Sequence, residues 1–87
     1  MTCGIYRLIF PNTDKCYIGQ SVNIERRYMQ HLRSFELGSA SGKLQSAYDV
    51  YGKPKLDILL DDIDLSDLDT CENEAIEIFD SFRNGFN

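Results

Sequence analysis

The 87-residue chain has little of several residue types, and each scarcity excludes a class of protein. Its three cysteines are odd in number, widely spaced and without a Cys-x-x-Cys pair, so neither a disulfide framework nor a zinc site is expected, and a reducing cytoplasm is the expected compartment. With only two prolines and six glycines, the chain is neither collagen-like nor of low complexity. It has no apolar run of roughly 18 residues and no signal-peptide pattern at its start, so no membrane partner is expected.

The charge of the chain is negative overall but unevenly distributed. A formal net charge of −5 taken alone argues against a nucleic-acid partner, because Lys and Arg supply the affinity for phosphates. Residues 1–45 contain six Lys and Arg against three acids, a net charge of +3. Residues 46–87 contain three against eleven, a net charge of −8. The first half is therefore basic and the second strongly acidic.

The start of the chain predicts a β-hairpin. Residues 4–10 and 16–19 are rich in β-branched and aromatic side chains, and a turn containing Pro, Asn and Asp separates them. A four-residue loop pairs Tyr6 with Gly19 and places Tyr17 on the same face as Tyr6. A five-residue loop places the two tyrosines on opposite faces.

Helical periodicity follows the hairpin. Apolar side chains recur at helical spacing over residues 24–35, with Asn23 or Ser21 as the N-cap and Gly38 as the end of the helix. A shorter helix over residues 44–51 comes next.

The last third of the chain predicts a strand and a final helix. Residues 55–60 alternate in polarity, with Leu56, Ile58 and Leu60 on one face. The helix begins near Asp67, and its apolar stripe is expected to contain Leu68, Cys71, Ala75, Ile78, Phe79 and Phe82. The order β-β-α-α-β-α predicts one α+β domain over residues 1–87, with a small three-stranded antiparallel sheet flanked by three helices.

Some polar side chains could carry chemistry, although each also has a structural explanation. Arg27 and His31 lie one turn apart on the first helix, where a surface arginine beside a partly buried histidine is common. Tyr6 and Tyr17 could be cross-strand packing partners. The acids of the last helix, which the sequence alone cannot rank, could be solvated or could hold Mg²⁺, an ion that keeps several waters and takes ligands from substrate phosphates. They are Glu72, Glu74 and Glu77.

Two tripeptides, Gly4-Ile5-Tyr6 and Tyr17-Ile18-Gly19, are ten residues apart and resemble the signature of the GIY-YIG nuclease family. Arg27 and His31 resemble the family's Arg and His/Tyr positions on the first helix. Glu74, in preference to Glu72 or Glu77, is similar to its metal-binding Glu, and residues 84–87 (Asn-Gly-Phe-Asn) resemble its closing segment. The resemblance covers essentially the whole chain and implies a GIY-YIG-like fold. Residues 38–41 lack the further histidine that some homing endonucleases of the family carry.

This resemblance implies a metal-dependent DNA endonuclease with a catalytic domain like that of GIY-YIG homing endonucleases. The family leaves open which tyrosine is the general base; Tyr6 is preferred over Tyr17 to activate the attacking water, and Tyr17 would position water or phosphate. Either His31 or a metal-bound hydroxide would accept the proton of the tyrosine. Arg27 would hold phosphate oxygens, and Glu74 would bind one Mg²⁺ or Mn²⁺ ion. Structural roles are expected for Gly4, Gly19 and Asn87, the last fixing the Glu helix and neighbouring backbone, and DNA contacts for Arg26, Arg33 and Lys43.

The charge distribution limits the expected affinity for DNA. A small acidic domain should bind DNA weakly and in a salt-sensitive way, with the acidic half facing away from the DNA. An appended DNA-binding domain or a second copy of the chain would supply further affinity. The alternative interpretation is a catalytically silent GIY-YIG-derived module that binds DNA or protein. A third is a structural domain that uses its acidic face to dock a basic protein.

Overall fold

The computed structural model describes residues 2–87 and contains one three-stranded sheet and four helices. The strands are β1 (Gly4–Ile9), β2 (Cys16–Ser21) and β3 (Lys55–Leu60). The helices are α1 (Ile24–Leu37), α2 (Gly42–Tyr51), α3 (Leu68–Phe79) and α4 (Ser81–Asn84), with a 3₁₀ turn at Leu65–Asp67 before α3. The sheet is antiparallel in the order β2-β1-β3, which confirms the predicted α+β class. None of the helices formed by residues 2–87 has the length and apolarity needed to span a bilayer.

The hairpin adopts the register of the four-residue loop. Tyr6 pairs with Gly19, and Leu8 pairs with Tyr17, so Tyr6 and Tyr17 point to the same face of the sheet. On the other side of β1 the register shifts between Ile5 and Tyr6, which interrupts the alternation near the end of β3. Leu60 was expected on the same face of β3 as Leu56 and Ile58. Because of the register shift, Ile58 pairs with Tyr6 but Leu60 pairs with Ile5, so the common face does not continue to Leu60.

Alternation along β1 and β2 divides the core into two layers, one on each side of the sheet. We call the side covered by α1 and α2 the tyrosine face; its core residues are Tyr6, Leu8, Phe10, Ile24, Phe35, Leu44 and Ala47. We call the side covered by α3 the aliphatic face; its core residues are Ile5, Cys16, Ile18, Leu68 and Ala75. Both faces are thus buried by helices.

The ends of α1 follow the sequence signals. The side chain of Asn23 accepts a hydrogen bond from the backbone N–H of Arg26, which satisfies one of the free donors of the first turn. Gly38 ends the helix in the left-handed conformation with φ of +70°, which a glycine adopts at little cost. This segment fixes the direction in which α1 presents His31 and Phe35, both buried, to the sheet.

The final helix is shorter than predicted. It ends at Phe79 because Asp80 adopts a left-handed conformation, and the chain then restarts as the short helix α4. Ile78 and Phe82 were expected on the apolar stripe but are 78% and 69% exposed. The side of α3 that packs against the sheet is instead defined by buried Leu68 and Ala75.

Candidate active site

Three rings from three elements meet on the tyrosine face. Tyr6 of β1 and His31 of α1 are joined by a hydrogen bond of 2.7 Å between the phenol Oη and the imidazole Nε2. The ring of Tyr17, on β2, has its centroid 6.4 Å from that of Tyr6 and 5.6 Å from that of His31. We call Tyr6, Tyr17 and His31 the aromatic triad. The sequence predicted this grouping, and the hairpin register makes it possible.

Gly19 leaves room for the first of these rings. A Cβ atom at this position would lie 2.5 Å from Cζ and Oη of Tyr6, which is far inside van der Waals contact. The phenol of Tyr6 therefore occupies the space that a side chain at position 19 would need. A side chain is excluded at Gly4 for a different reason, since a Cβ there would lie 1.9 Å from the backbone oxygen of Leu60. The two glycines thus allow one side chain and one strand, respectively, to approach closely.

Burial keeps the triad uncharged. His31 is 4% exposed, and its burial, followed by the nearby positive charge of Arg27, lowers the pKa of the imidazole to about 4. Burial also raises the pKa of Tyr6 and of Tyr17 above the ordinary phenol value, and the proximity of the two phenols adds to the effect on Tyr6. At neutral pH the pair is therefore a neutral phenol bonded to a neutral imidazole, in which Oη can donate to Nε2.

Arg27 contributes the positive charge of the site. It lies one turn before His31 on α1, and together with His31 and Tyr17 it lines a pocket of about 330 Å³. The pocket is completed by Ser34, Leu44 and residues 39–41. We call it the Arg27 pocket. The guanidinium also acts on the neighbouring phenols, because its charge lowers the pKa of both tyrosines and so partly offsets the effect of burial.

Glu72, and not Glu74, is the carboxylate whose charge acts on the two tyrosines. The negative charge of Glu72 contributes to raising the pKa of both Tyr6 and Tyr17, and its Oε2 accepts a hydrogen bond of 2.5 Å from Gln20 of β2. Glu74 is exposed and lines a separate pocket of about 270 Å³ between α3 and the end of β3. The expected position of Glu74 in the site is therefore corrected, because residues two apart on a helix point in directions about 200° apart.

The sequence spacing indicates that Glu72 lies on the buried side of α3. It lies four residues after Leu68 and three before Ala75, so it shares the side of α3 that packs on the sheet. The sequence prediction extended the apolar stripe to Ile78 and Phe82, and it preferred Glu74 because this residue resembles the family's metal-binding Glu. The acidic half also does not lie wholly away from the site, because Asp69 and Glu72 both contact Gln20.

The residues present fit a hydrated divalent ion better than a protein-enclosed one. Within residues 2–87, no three His, Cys, Asp or Glu side chains are grouped as metal ligands. Glu72 does offer a partly buried carboxylate whose negative charge contributes to raising the pKa of both tyrosines. One carboxylate suffices for Mg²⁺ or Mn²⁺ when waters and substrate phosphate oxygens complete the coordination, and carboxylate oxygen is the ligand that these ions prefer.

The expected DNA-contacting residues lie outside the Arg27 pocket. Arg26 and Arg33 are exposed and line a separate groove on α1 together with Lys53. Lys43 donates a hydrogen bond of 2.8 Å to the backbone oxygen of Asn87, and its Nζ lies 5.6 Å from the ring centroid of Phe82. Their contacts with DNA stay predictions.

Asn87 is bound to the sheet and not to the helix that carries the glutamates. Its side-chain Oδ1 accepts from the backbone N–H of Ile18 at 2.8 Å, and its Nδ2 donates to the backbone oxygen of Ile18 at 2.8 Å. The expectation that it fixes neighbouring backbone agrees with this geometry, whereas the expected link to the Glu helix is replaced by one to β2.

These features define a small α+β domain whose first two strands carry paired tyrosines. Residues 2–83 match the family described as the GIY-YIG catalytic domain, and the chain therefore belongs to the GIY-YIG family. No curated protein sequence matches this chain.

Two solved structures are similar to the whole chain. A mutant of the catalytic domain of the intron endonuclease I-TevI has a TM-score of 0.92 and 28% sequence identity, with 100% of this chain and 93% of that chain covered. The catalytic domain of the homing endonuclease I-TevI has a TM-score of 0.89 and 28% identity, with 98% and 96% covered. The similarity supports a nuclease function in general terms.

Proposed function

We propose that this chain is a metal-dependent DNA endonuclease that hydrolyses phosphodiester bonds with one Mg²⁺ or Mn²⁺ ion. The observation that carries the proposal is the convergence of the aromatic triad and Arg27 from β1, β2 and α1, with the charge of Glu72 on α3 acting on both tyrosines. DNA as the substrate rests on family membership and on the similarity to an intron endonuclease.

Arg27 binds the scissile phosphate. Its planar guanidinium can donate two parallel hydrogen bonds to phosphate oxygens, and it carries the only formal positive charge among the residues that line the Arg27 pocket. Because negative charge increases on these oxygens in the transition state, a fixed cation there lowers the barrier. The chemistry of the pocket therefore suits a phosphodiester group.

Tyr6 and His31 move the proton of the attacking water. The phenol is a weak base as long as it keeps its own proton, and burial makes loss of that proton harder. The 2.7 Å hydrogen bond gives a route, in which Oη takes a proton from water as its own proton passes to Nε2 of His31. Free tyrosinate then never has to form. His31 can act as the acceptor because its imidazole is neutral at neutral pH.

Tyr17 and Glu72 complete the site. Tyr17 is less buried than Tyr6 and lines the Arg27 pocket, so its hydroxyl can orient the water or a phosphate oxygen. Glu72 would hold the divalent ion, which when bound supplies a Lewis acid for the scissile phosphate and stabilises the leaving 3′-oxygen.

The test is cleavage of supercoiled plasmid by a pair of matched variants. Glu72→Gln and Glu74→Gln make the same chemical change two residues apart, on different sides of α3. With Mg²⁺ present, wild type and Glu74→Gln are expected to cleave at similar rates. Glu72→Gln is expected to lose at least about 100-fold in rate, comparable to the loss of one transition-state contact. Chelator should abolish cleavage by all three.

The other outcomes of this assay contradict parts of the proposal. Cleavage that survives chelator would remove the metal from the mechanism. Loss of activity in Glu74→Gln with retention in Glu72→Gln would return the metal to Glu74. Binding of plasmid without cleavage by wild type, with either ion and on several DNA forms, would replace the enzyme with a catalytically silent binding module.

A further inference from the structure

Gln20 connects the site to α3 through a single amide group. Its Nε2 donates to Oε2 of Glu72 at 2.5 Å and to Oδ1 of Asp69 at 2.6 Å. A primary amide has two N–H donors, so both are used. The residue immediately follows Gly19 on β2, the strand that carries Tyr17. The amide therefore fixes the position of Glu72 relative to the strand that bears a catalytic tyrosine.

The chemistry of an amide suits this position. Asp69 and Glu72 lie three residues apart on α3 and are neighbours on its surface, so two negative charges face the same strand. A lysine between them would neutralise charge and compete with a cation. A neutral amide can hold both carboxylates without adding charge, and it occupies only one oxygen of Glu72 within the described residues, which leaves Oε1 for another ligand.

We propose that Gln20 is a positioning residue that orients the carboxylate of Glu72 to receive the divalent ion. The inference rests on the proposed function, because it requires that Glu72 is a metal ligand. It assigns no contact between Gln20 and the ion or the DNA. Residues that hydrogen-bond to metal ligands typically change metal affinity by 10- to 100-fold when they are removed.

The experiment measures Mn²⁺ binding to the protein without DNA, by electron paramagnetic resonance of the free ion. Gln20→Met keeps the length of the side chain but removes both donors, and we expect the dissociation constant for Mn²⁺ to rise by about tenfold. Gln45→Met is the matched control, because Gln45 is also partly buried and donates to Phe35 and Asp49 far along the chain from Glu72. It should leave the Mn²⁺ affinity unchanged.

Two further variants separate positioning from a general structural effect. Asp69→Asn keeps an oxygen acceptor for Gln20, so Mn²⁺ affinity should change by less than about threefold, the size of a weak screened charge effect. In the Glu72→Gln background, Gln20→Met should cause no additional loss of Mn²⁺ affinity. Raising the Mn²⁺ concentration should restore plasmid cleavage to Gln20→Met but not to Glu72→Gln. Melting temperatures verify that each variant is folded.

Gln20→Asn provides a second measurement if Gln20→Met does not fold. It keeps the amide but shortens the side chain by one methylene, so it cannot reach both carboxylates from the same backbone position, and Mn²⁺ affinity should again fall. Wild-type affinity in a folded Gln20 variant, together with weakened binding in Glu72→Gln, would overturn the inference and leave the proposed function intact. Wild-type affinity in Glu72→Gln would overturn the metal-binding role itself.

Discussion

The tyrosine face and the aliphatic face are formed by alternate residues of the same strands, but they bury different chemistry. On the tyrosine face, Tyr6 and His31 are buried polar groups bonded to each other. On the aliphatic face, the strands contribute Ile5 and Ile18 to the core, and the charged group of β1 stays half-buried, where Arg7 forms a 2.7 Å ion pair with Asp57.

This difference separates the groups that we propose to do chemistry from those that mainly stabilise the fold. A neutral hydrogen-bonded pair can stay buried and still exchange a proton, because neither partner loses much by desolvation. An aliphatic layer stabilises in proportion to the apolar area removed from water. Substitutions on the first face should therefore change rates more than stability, and substitutions on the second should do the reverse.

The largest expected effect is on the cleavage rate of Tyr6→Phe. This variant removes one hydroxyl and keeps the ring, so the general base is lost and the rate should fall by about 10²- to 10⁴-fold. Its counterpart on the aliphatic face, Ile18→Val, should keep the wild-type rate and lose about 1 kcal/mol of unfolding free energy. Plasmid cleavage and urea denaturation of both variants measure the contrast. Equal losses of rate would contradict the division between the faces.

The next largest effect is the pH dependence of stability. His31 is expected to titrate near its ordinary pKa of about 6.5 when unfolded, whereas its folded pKa is about 4. Between these values the unfolded state binds a proton that the folded state does not, so stability falls as the pH drops from 6.5 toward 4. The contribution is about 3 kcal/mol, and urea denaturation at several pH values measures it.

His31→Phe isolates this contribution from that of the carboxylates. The variant should show a smaller loss of stability over the same pH interval, because its buried ring cannot be protonated. An unchanged pH profile would mean that His31 has the same pKa in the folded and unfolded states, which would contradict the lowered pKa of the buried imidazole.

A smaller effect is expected at the glycine opposite Tyr6. Gly19→Ala forces the phenol away from its position, and overpacking of this kind costs about 1–3 kcal/mol of unfolding free energy. It should also lengthen the Tyr6–His31 hydrogen bond and slow cleavage. Gly42→Ala is the control, since a Cβ at Gly42 would have no neighbour within 4 Å. Thermal denaturation and plasmid cleavage should be normal for the control and impaired for Gly19→Ala.

The smallest effect concerns a buried hydroxyl without a partner. Ser81 is 1% exposed, and its Oγ makes no hydrogen bond to any residue from 2 to 87. Because an unpaired buried hydroxyl costs free energy, Ser81→Ala should leave stability unchanged or raise it by about 1 kcal/mol. Tyr6→Phe also deletes a hydroxyl, but it removes the hydrogen-bond partner of His31, so it should not raise the stability of the protein. Destabilisation by Ser81→Ala would show that Ser81 has a partner after all.

Local signals predicted most of the fold. The N-cap at Asn23, the glycine at position 38 and the periodicity between them gave α1 almost to the residue, because caps and apolar spacing are properties of neighbouring residues. The hairpin register was open between two loop lengths. The pairing of Tyr6 with Gly19 decides it, and the steric need for a glycine there becomes visible only when the strands are side by side.

The parts that failed depend on longer-range geometry. Asp80 ends α3 by adopting φ of +50°, which no local pattern in an acidic helix requires. Ile78 and Phe82 are exposed, so the buried side of α3 is narrower than the apolar composition suggested. Glu74 was expected as the metal-binding residue because it resembles the family's Glu, whereas the partly buried carboxylate that contacts β2 is that of Glu72.

The contacts of residues 86 and 87 have a consequence for self-association. β2 is an outer strand of the sheet, and unpaired backbone groups on such a strand can recruit a strand from another molecule. Here Phe86 donates its backbone N–H to Cys16, and the amide of Asn87 occupies both backbone groups of Ile18. Two residues thus shield this edge from intermolecular β-pairing, in the manner of a short fourth strand.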